Sequence, residues 1–279
     1  MAQYFNKFKG IKRQKSYSVT NALSLAIACD LAYKNRNKVE DQAKKWGFPK
    51  VKFEEIKNGG DIDTQCYVMA NDDDIVIAFR GSSSREDWVT NIQALKDPGP
   101  FVGSEVHEGF QDALYPAVIK VTSLVEQYRD KNQKIWVTGH SLGGALCSLY
   151  AAMLIENDFD VYGIYTFASP RPGDDLFSKK LSAQVSGPHF RVVNTGDIVP
   201  HLPPEPFYSH AGKRVILTKS SRTSLKKSWF DERVEALKEF VNRTGDILEA
   251  ADIHRLTADK NYSYIPRLIR EYKKAHGAP

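Results

Sequence analysis

Between residues 75 and 217 the chain alternates short, apolar, β-branched runs with longer segments of helical periodicity, and this alternation limits the available folds more than any other feature. Residues 75–79, 134–138, 162–167, 190–193 and 215–217 read as strands. Residues 108–128, 142–155 and 175–184 between them read as helices. A strand that returns to its sheet through a helix does so as a parallel neighbour, because the crossover passes over one face of the sheet. The expectation is an α/β architecture: a mostly parallel central sheet with helices on both faces.

Upstream, residues 20–33 place Leu23, Ala26, Ile27 and Leu31 at helical spacing behind Thr20 or Asn21 as a cap, and a short helix over 39–46 stops at Gly47. Residues 64–69 and 75–79 flank the polar turn Asn71-Asp72-Asp73-Asp74, as two strands would. Downstream of Ser220 come a helix over 231–241, a loop through His254 and a basic helix over 264–274. There is no internal repeat and no low-complexity linker, so residues 1–279 read as a single domain.

Composition excludes some classes. No run approaches the roughly 20 apolar residues of a bilayer span, and the amino-terminal residues lead into lysines rather than an apolar signal core. Cys29, Cys66 and Cys147 each lie in an apolar run, and an odd set cannot make a full disulfide framework. The default expectation is therefore reduced core thiols in the cytoplasm, with secretion the alternative if a signal has been removed. The net charge of +5 is spread over pairs such as Lys213-Arg214 and Lys273-Lys274, without arginine clusters beside stacking aromatics. No nucleic-acid partner is expected.

The chemistry concentrates at Gly139-His140-Ser141-Leu142-Gly143. A Gly-x-Ser-x-Gly is common by chance, but here a β-branched strand runs into it and Gly144-Ala145-Leu146 opens a helix directly after. That strand–turn–helix is what a nucleophile elbow needs, with the serine strained at the strand end and glycines letting strand and helix pass closely. Ser141 is therefore the expected nucleophile. A serine hydroxyl needs a base to take its proton and an acid to orient that base. With a nucleophile of this kind the acid follows a later strand and the histidine comes last. Asp197 sits on the loop after strand 190–193; its rival, Asp174, fits better as a helix cap. Of the seven histidines two compete as base: His254, on a loop after the last strand, and His210, which precedes that strand. His140 neighbours the serine, but its side chain should point away from the hydroxyl. No histidine–carboxylate cluster with ligand spacing calls for a metal, and no cofactor is implied.

Several blocks in order resemble the class 3 lipase family, which includes fungal triacylglycerol lipases and bacterial and plant relatives. They are Phe79-Arg80-Gly81-Ser82 with Asp87-Trp88 and Asn91, Val106-His107-Glu108-Gly109-Phe110, the Ser141 turn with Gly144-Ala145, Thr166 to Asp174, and Arg191-Val192-Val193-Asn194 leading to Asp197-Ile198-Val199-Pro200. The resemblance implies the α/β-hydrolase fold and a triad of Ser141, Asp197 and His254. It also implies an oxyanion hole from Ser82 and the Leu142 N–H, and acyl ester or lipid substrates, including at a lipid–water interface. Residues 83–92 correspond to the segment that some members use as a lid, although here they hold few apolar side chains. The chain departs from the family where Ile253 separates Asp252 from His254 and where Tyr262 and Tyr264 lie farther on. The lack of a signal peptide and of disulfides favours a bacterial-type or intracellular relative as the comparison. Triacylglycerol lipase heads the implied activities, followed by short-chain carboxylesterase, phospholipase A1 and feruloyl esterase. A non-catalytic lipase-like interaction protein is the alternative of a different class. Phe101, Phe110, Leu202 and Phe207 are the side chains expected to shape the acyl pocket.

Overall fold

The computed structural model describes residues 4–57, 63–81, 95–130, 132–218, 252–258 and 261–277. Among them a seven-stranded sheet is built from β1 (Lys50–Lys57), β2 (Asp63–Ala70), β3 (Asp74–Phe79), β6 (Lys134–His140), β7 (Val161–Phe167), β8 (His189–Asn194) and β9 (Lys213–Leu217), in that spatial order. From β3 to β9 all neighbours are parallel; β1, β2 and β3 form an antiparallel meander. A separate hairpin pairs β4 (Lys96–Pro98) with β5 (Glu105–His107).

The central strands are apolar throughout because both of their faces are covered. In β3 all six residues are buried. Their two-residue period deals Ile75, Ile77 and Phe79 into one core and Val76 and Ala78 into the other. The first core is closed by α3 (Glu108–Tyr128), α4 (Leu142–Glu156) and α5 (Asp175–Gln184), through Leu114, Val121, Leu146, Leu149 and Phe177. The second is closed by α1 (Val19–Leu31), α2 (Arg36–Lys45) and α6 (Tyr264–Ala275), through Leu25, Ile27, Val39, Ile265 and Leu268.

Three local expectations are corrected. Helix α1 is capped by Ser18, whose side chain accepts from the Asn21 N–H; Thr20 and Asn21 are already inside the helix, and Asn21 Oδ1 instead accepts from the Lys12 N–H at 2.8 Å. Helix α2 starts at Arg36 behind Asn35, three residues earlier than the apolar pattern suggested. Strand β1 was not anticipated, because Lys50, Lys52, Glu54 and Glu55 interrupt its apolar residues as edge-strand charges do. The helix expected over 231–241 and the segment 83–92 lie outside the described residues. All three cysteines are buried and unpaired.

The parallel register aligns the carboxyl ends of the strands. Phe79 pairs with Gly139, His140 with Phe167, and Asn194 with Leu217. The residues that follow β3, β6 and β8 therefore leave the sheet at one edge, where ligands of open α/β sheets are held.

Candidate active site

Ser141 stands between the end of β6 and the start of α4 with φ 58° and ψ −132°, a left-handed conformation that side-chain-bearing residues rarely adopt. Its N–H donates to the Phe167 carbonyl at 2.9 Å and its own carbonyl accepts from the Gly144 N–H at 2.8 Å. The flanking glycines permit this turn. A Cβ on Gly143 would lie 2.4 Å from the Phe79 carbonyl oxygen, and one on Gly139 would meet the Gly143 carbonyl directly. The chain leaving β3 also passes against the turn, since a Cβ on Gly81 would lie 3.2 Å from Ser141 Cβ. Ser82 lies outside the described residues. Leu142 is the first residue of α4, so its N–H has no acceptor within the helix and adds to the positive end of the helix dipole.

His254 Nε2 lies 2.9 Å from Ser141 Oγ, and its Nδ1 lies 3.0 Å from each carboxylate oxygen of Asp197. All three residues are buried. A carboxylate only accepts, so Nδ1 carries the ring proton and Nε2 presents its lone pair to the serine hydroxyl. Burial alone would push the Asp197 carboxyl up. The facing His254, together with hydrogen bonds from His254, the Tyr264 hydroxyl at 2.7 Å and the Val199 N–H at 3.1 Å, outweighs it and holds the group below the ordinary carboxylate range. The acid thus stays ionised and the imidazole stays oriented.

The rival side chains have other partners. Asp174 caps α5, accepting from the Phe177 N–H at 2.7 Å. His210 Nε2 bonds the Pro200 carbonyl at 2.7 Å, and burial, then Arg191 and Arg171, push its pKa well down. His140 points away from the hydroxyl: Nε2 donates to the His254 carbonyl at 2.8 Å and Nδ1 accepts from the Tyr33 hydroxyl at 3.0 Å. Of the expected pocket side chains, Phe101 and Phe110 are fully buried in the first core, Leu202 is half-buried, and Phe207 is 64% exposed.

The family model for lipase (class 3) matches residues 76–207, the stretch that runs from β3 through the elbow to the loop beyond Asp197. Residues 76–207 thus carry the pattern of the class 3 lipase family. A lipase of Rhizomucor miehei is 37% identical over 169 residues, which cover 57% of this chain and 46% of that protein. A secreted mono- and diacylglycerol lipase of Fusarium solani is 37% identical over 141 residues, covering 49% and 42%. A phospholipase A1 of Oryza sativa is 29% identical over 176 residues, covering 52% and 42%. The chain thus spans a little under half the length of these relatives. Among solved structures, the Rhizomucor miehei lipase–propeptide complex superposes with a TM-score of 0.61 at 28% identity, covering 77% of this chain and 71% of that one. A triacylglycerol lipase whose catalytic centre is described as a serine protease triad does so with the same score and identity, covering 77% and 86%. The fold is that of the α/β-hydrolases. These relatives are fungal and plant proteins rather than the bacterial type that the sequence favoured, and the Fusarium protein is named as secreted, which gives the cytoplasmic expectation no support.

The sequence reading named Tyr264 and Asn194 but gave neither a role in the site. The Tyr264 hydroxyl donates to Asp197 and accepts from the Asn194 N–H at 3.0 Å. The signal was the family's tyrosine after the histidine, obscured here because Tyr264 stands ten positions beyond His254.

Proposed function

We propose that this chain is a serine hydrolase of carboxylic esters, with lipid acyl esters of the triacylglycerol type as its first substrate class. The observation that carries the reading is the single imidazole of His254 bridging Ser141 and Asp197, residues 113 and 57 positions away in sequence. That arrangement transfers a proton and little else. The imidazole takes the hydroxyl proton as Ser141 Oγ attacks the ester carbonyl, and the negative oxygen is stabilised by the Leu142 N–H and by Ser82. The protonated imidazole then gives its proton to the departing alcohol. Water, activated by the same base, attacks the acyl-serine and releases the carboxylic acid with Ser141 regenerated.

Residues 1–279 are read as one domain, since α1 and α6, from opposite ends of the chain, close the same core. Among the described residues no helix is long and apolar enough to cross a membrane. The Fusarium relative makes a secreted setting the one to test first, and three thiols without a disulfide partner accord with either compartment.

The test is hydrolysis of 4-nitrophenyl esters from C2 to C16, with emulsified triolein and phosphatidylcholine. Turnover of the longer esters and of triolein is expected. Activity confined to C2–C4 would replace the lipid reading with short-chain carboxylesterase, and release of one fatty acid from phosphatidylcholine alone would replace it with phospholipase A1.

A further inference from the structure

Arg267, in the first turn of α6, is 2% exposed, an unfavourable place for a guanidinium unless its donors are used. Its Nε and Nη1 donors are used against three separate segments. Nη1 donates to Asn194 Oδ1 at 3.2 Å and to the Leu217 carbonyl at 3.0 Å, and Nε donates to the Asn261 carbonyl at 3.1 Å. Asn194 closes β8, three residues before Asp197. Its Nδ2 donates to the carbonyls of Ile253 at 2.7 Å and Tyr262 at 2.9 Å, so both ends of the amide are engaged.

The two ends of an asparagine amide are alike in shape and opposite in polarity. A guanidinium only donates, so beside Arg267 the oxygen end must turn toward α6 and both N–H groups must turn toward the two carbonyls. Without that donor Asn194 Oδ1 loses its charged partner in a buried site and the amide is held only by the two carbonyls it donates to, which loosens its grip on the Ile253 carbonyl. The Ile253–His254 peptide carries the imidazole, which has to meet Ser141 Oγ and Asp197 together. The neighbouring carbonyl, that of His254, is held separately by His140.

We propose that Arg267 is a positioning residue for the ester hydrolysis described above. Acting through the Asn194 amide, it holds the peptide that aims His254 at Ser141. The role rests on the hydrolase reading, and it differs from a purely architectural one, in which Arg267 would only tie α6 to β9 through the Leu217 and Asn261 carbonyls.

The experiment is a double-mutant cycle on the full chain with Arg267→Met, Asn194→Ala and the pair, measuring kcat and KM on a soluble 4-nitrophenyl ester and Tm for each protein. Each single change is expected to lower kcat by about 10- to 100-fold with KM within about twofold, the size of loss that a small misplacement of a reacting group produces. The pair should be no worse than the poorer single variant. A wild-type kcat in Arg267→Met, losses that multiply in the pair, or a KM that rises as much as kcat falls would overturn the proposal. Should Arg267→Met not fold, Arg267→Lys, which keeps the charge and loses the planar fork, takes its place in the cycle under the same criteria. An inactive wild type would refute the hydrolase reading and this role with it. An active wild type with an unaffected Arg267 variant refutes this role alone.

Discussion

Ser141 and His254 meet at 2.9 Å, yet the two are held by different kinds of structure. Ser141 is set by its own neighbours in sequence: a buried strand ends, two glycines allow a close turn, and a helix begins within one residue. His254 is set by contacts from far along the chain. Asp197 lies 57 positions away, His140 holds its carbonyl from 114 away, and Asn194 holds the preceding carbonyl from 59 away. The nucleophile's turn is therefore encoded by a short segment and seated against Phe79, Gly81 and Phe167, while the base's position depends wholly on contacts from distant parts of the chain. The two sides should fail differently when perturbed.

The largest effect lies on the assembled side. His254→Ala is expected to lower kcat on 4-nitrophenyl esters by about 10⁴-fold or more, as loss of a triad base does. His210→Ala, whose imidazole only bonds the Pro200 carbonyl, should stay within about threefold. Interchange of these two results would undo the assignment of the base.

On the local side, Gly143→Ala places a methyl group against the Phe79 carbonyl, where strand, turn and helix leave no room. A loss of stability on the order of 1–3 kcal/mol is expected from such overpacking, read as a lower urea midpoint with an unchanged slope. Unaltered stability would show that the elbow has more freedom than its contacts allow.

The difference also explains what the sequence could and could not reveal. The strand and helix alternation and the elbow were legible because each is encoded by consecutive residues. Asp197 was legible because it follows a recognisable strand, and Asp174 could be set aside because a cap is local as well. The contest between His254 and His210 turns on which carbonyl and which carboxylate each ring meets, and periodicity carries no information about that. The roles of Tyr264, Asn194 and Arg267 were hidden for the same reason: they exist only once β8, β9 and α6 are side by side. Phe101 and Phe110 were misread as pocket residues because an aromatic near a motif and an aromatic in the core look alike in sequence.

The smallest effect is a pH dependence arising on the acid's side of the sheet. Burial, followed by nearby arginine charge, lowers the pKa of His189 to about 3 and of His201 to about 4, and lowers that of His210 well below its ordinary value. Each group takes up a proton near pH 6.5 in the unfolded chain but not in the folded one. Their contribution to stability is full above pH 6.5 and is lost as the pH falls toward 4 and below. The depressed Asp197 carboxylate acts in the same direction below about 3.8, losing its contribution as the pH falls through its folded value. The expected result is a Tm that declines steadily between pH 7 and pH 4.5, measured by circular dichroism at constant ionic strength. A Tm that is flat or rises over that range would contradict the neutral state of these histidines in the folded chain.

The most direct test of the whole arrangement is labelling by a fluorophosphonate probe, followed by peptide mass spectrometry, with Ser141→Ala and His254→Ala as comparisons. Stoichiometric modification of Ser141 in the folded wild type, absent from Ser141→Ala and strongly slowed in His254→Ala, is the result predicted. No label on Ser141 in folded protein, or equal labelling rates with and without His254, would contradict a nucleophile activated by that imidazole.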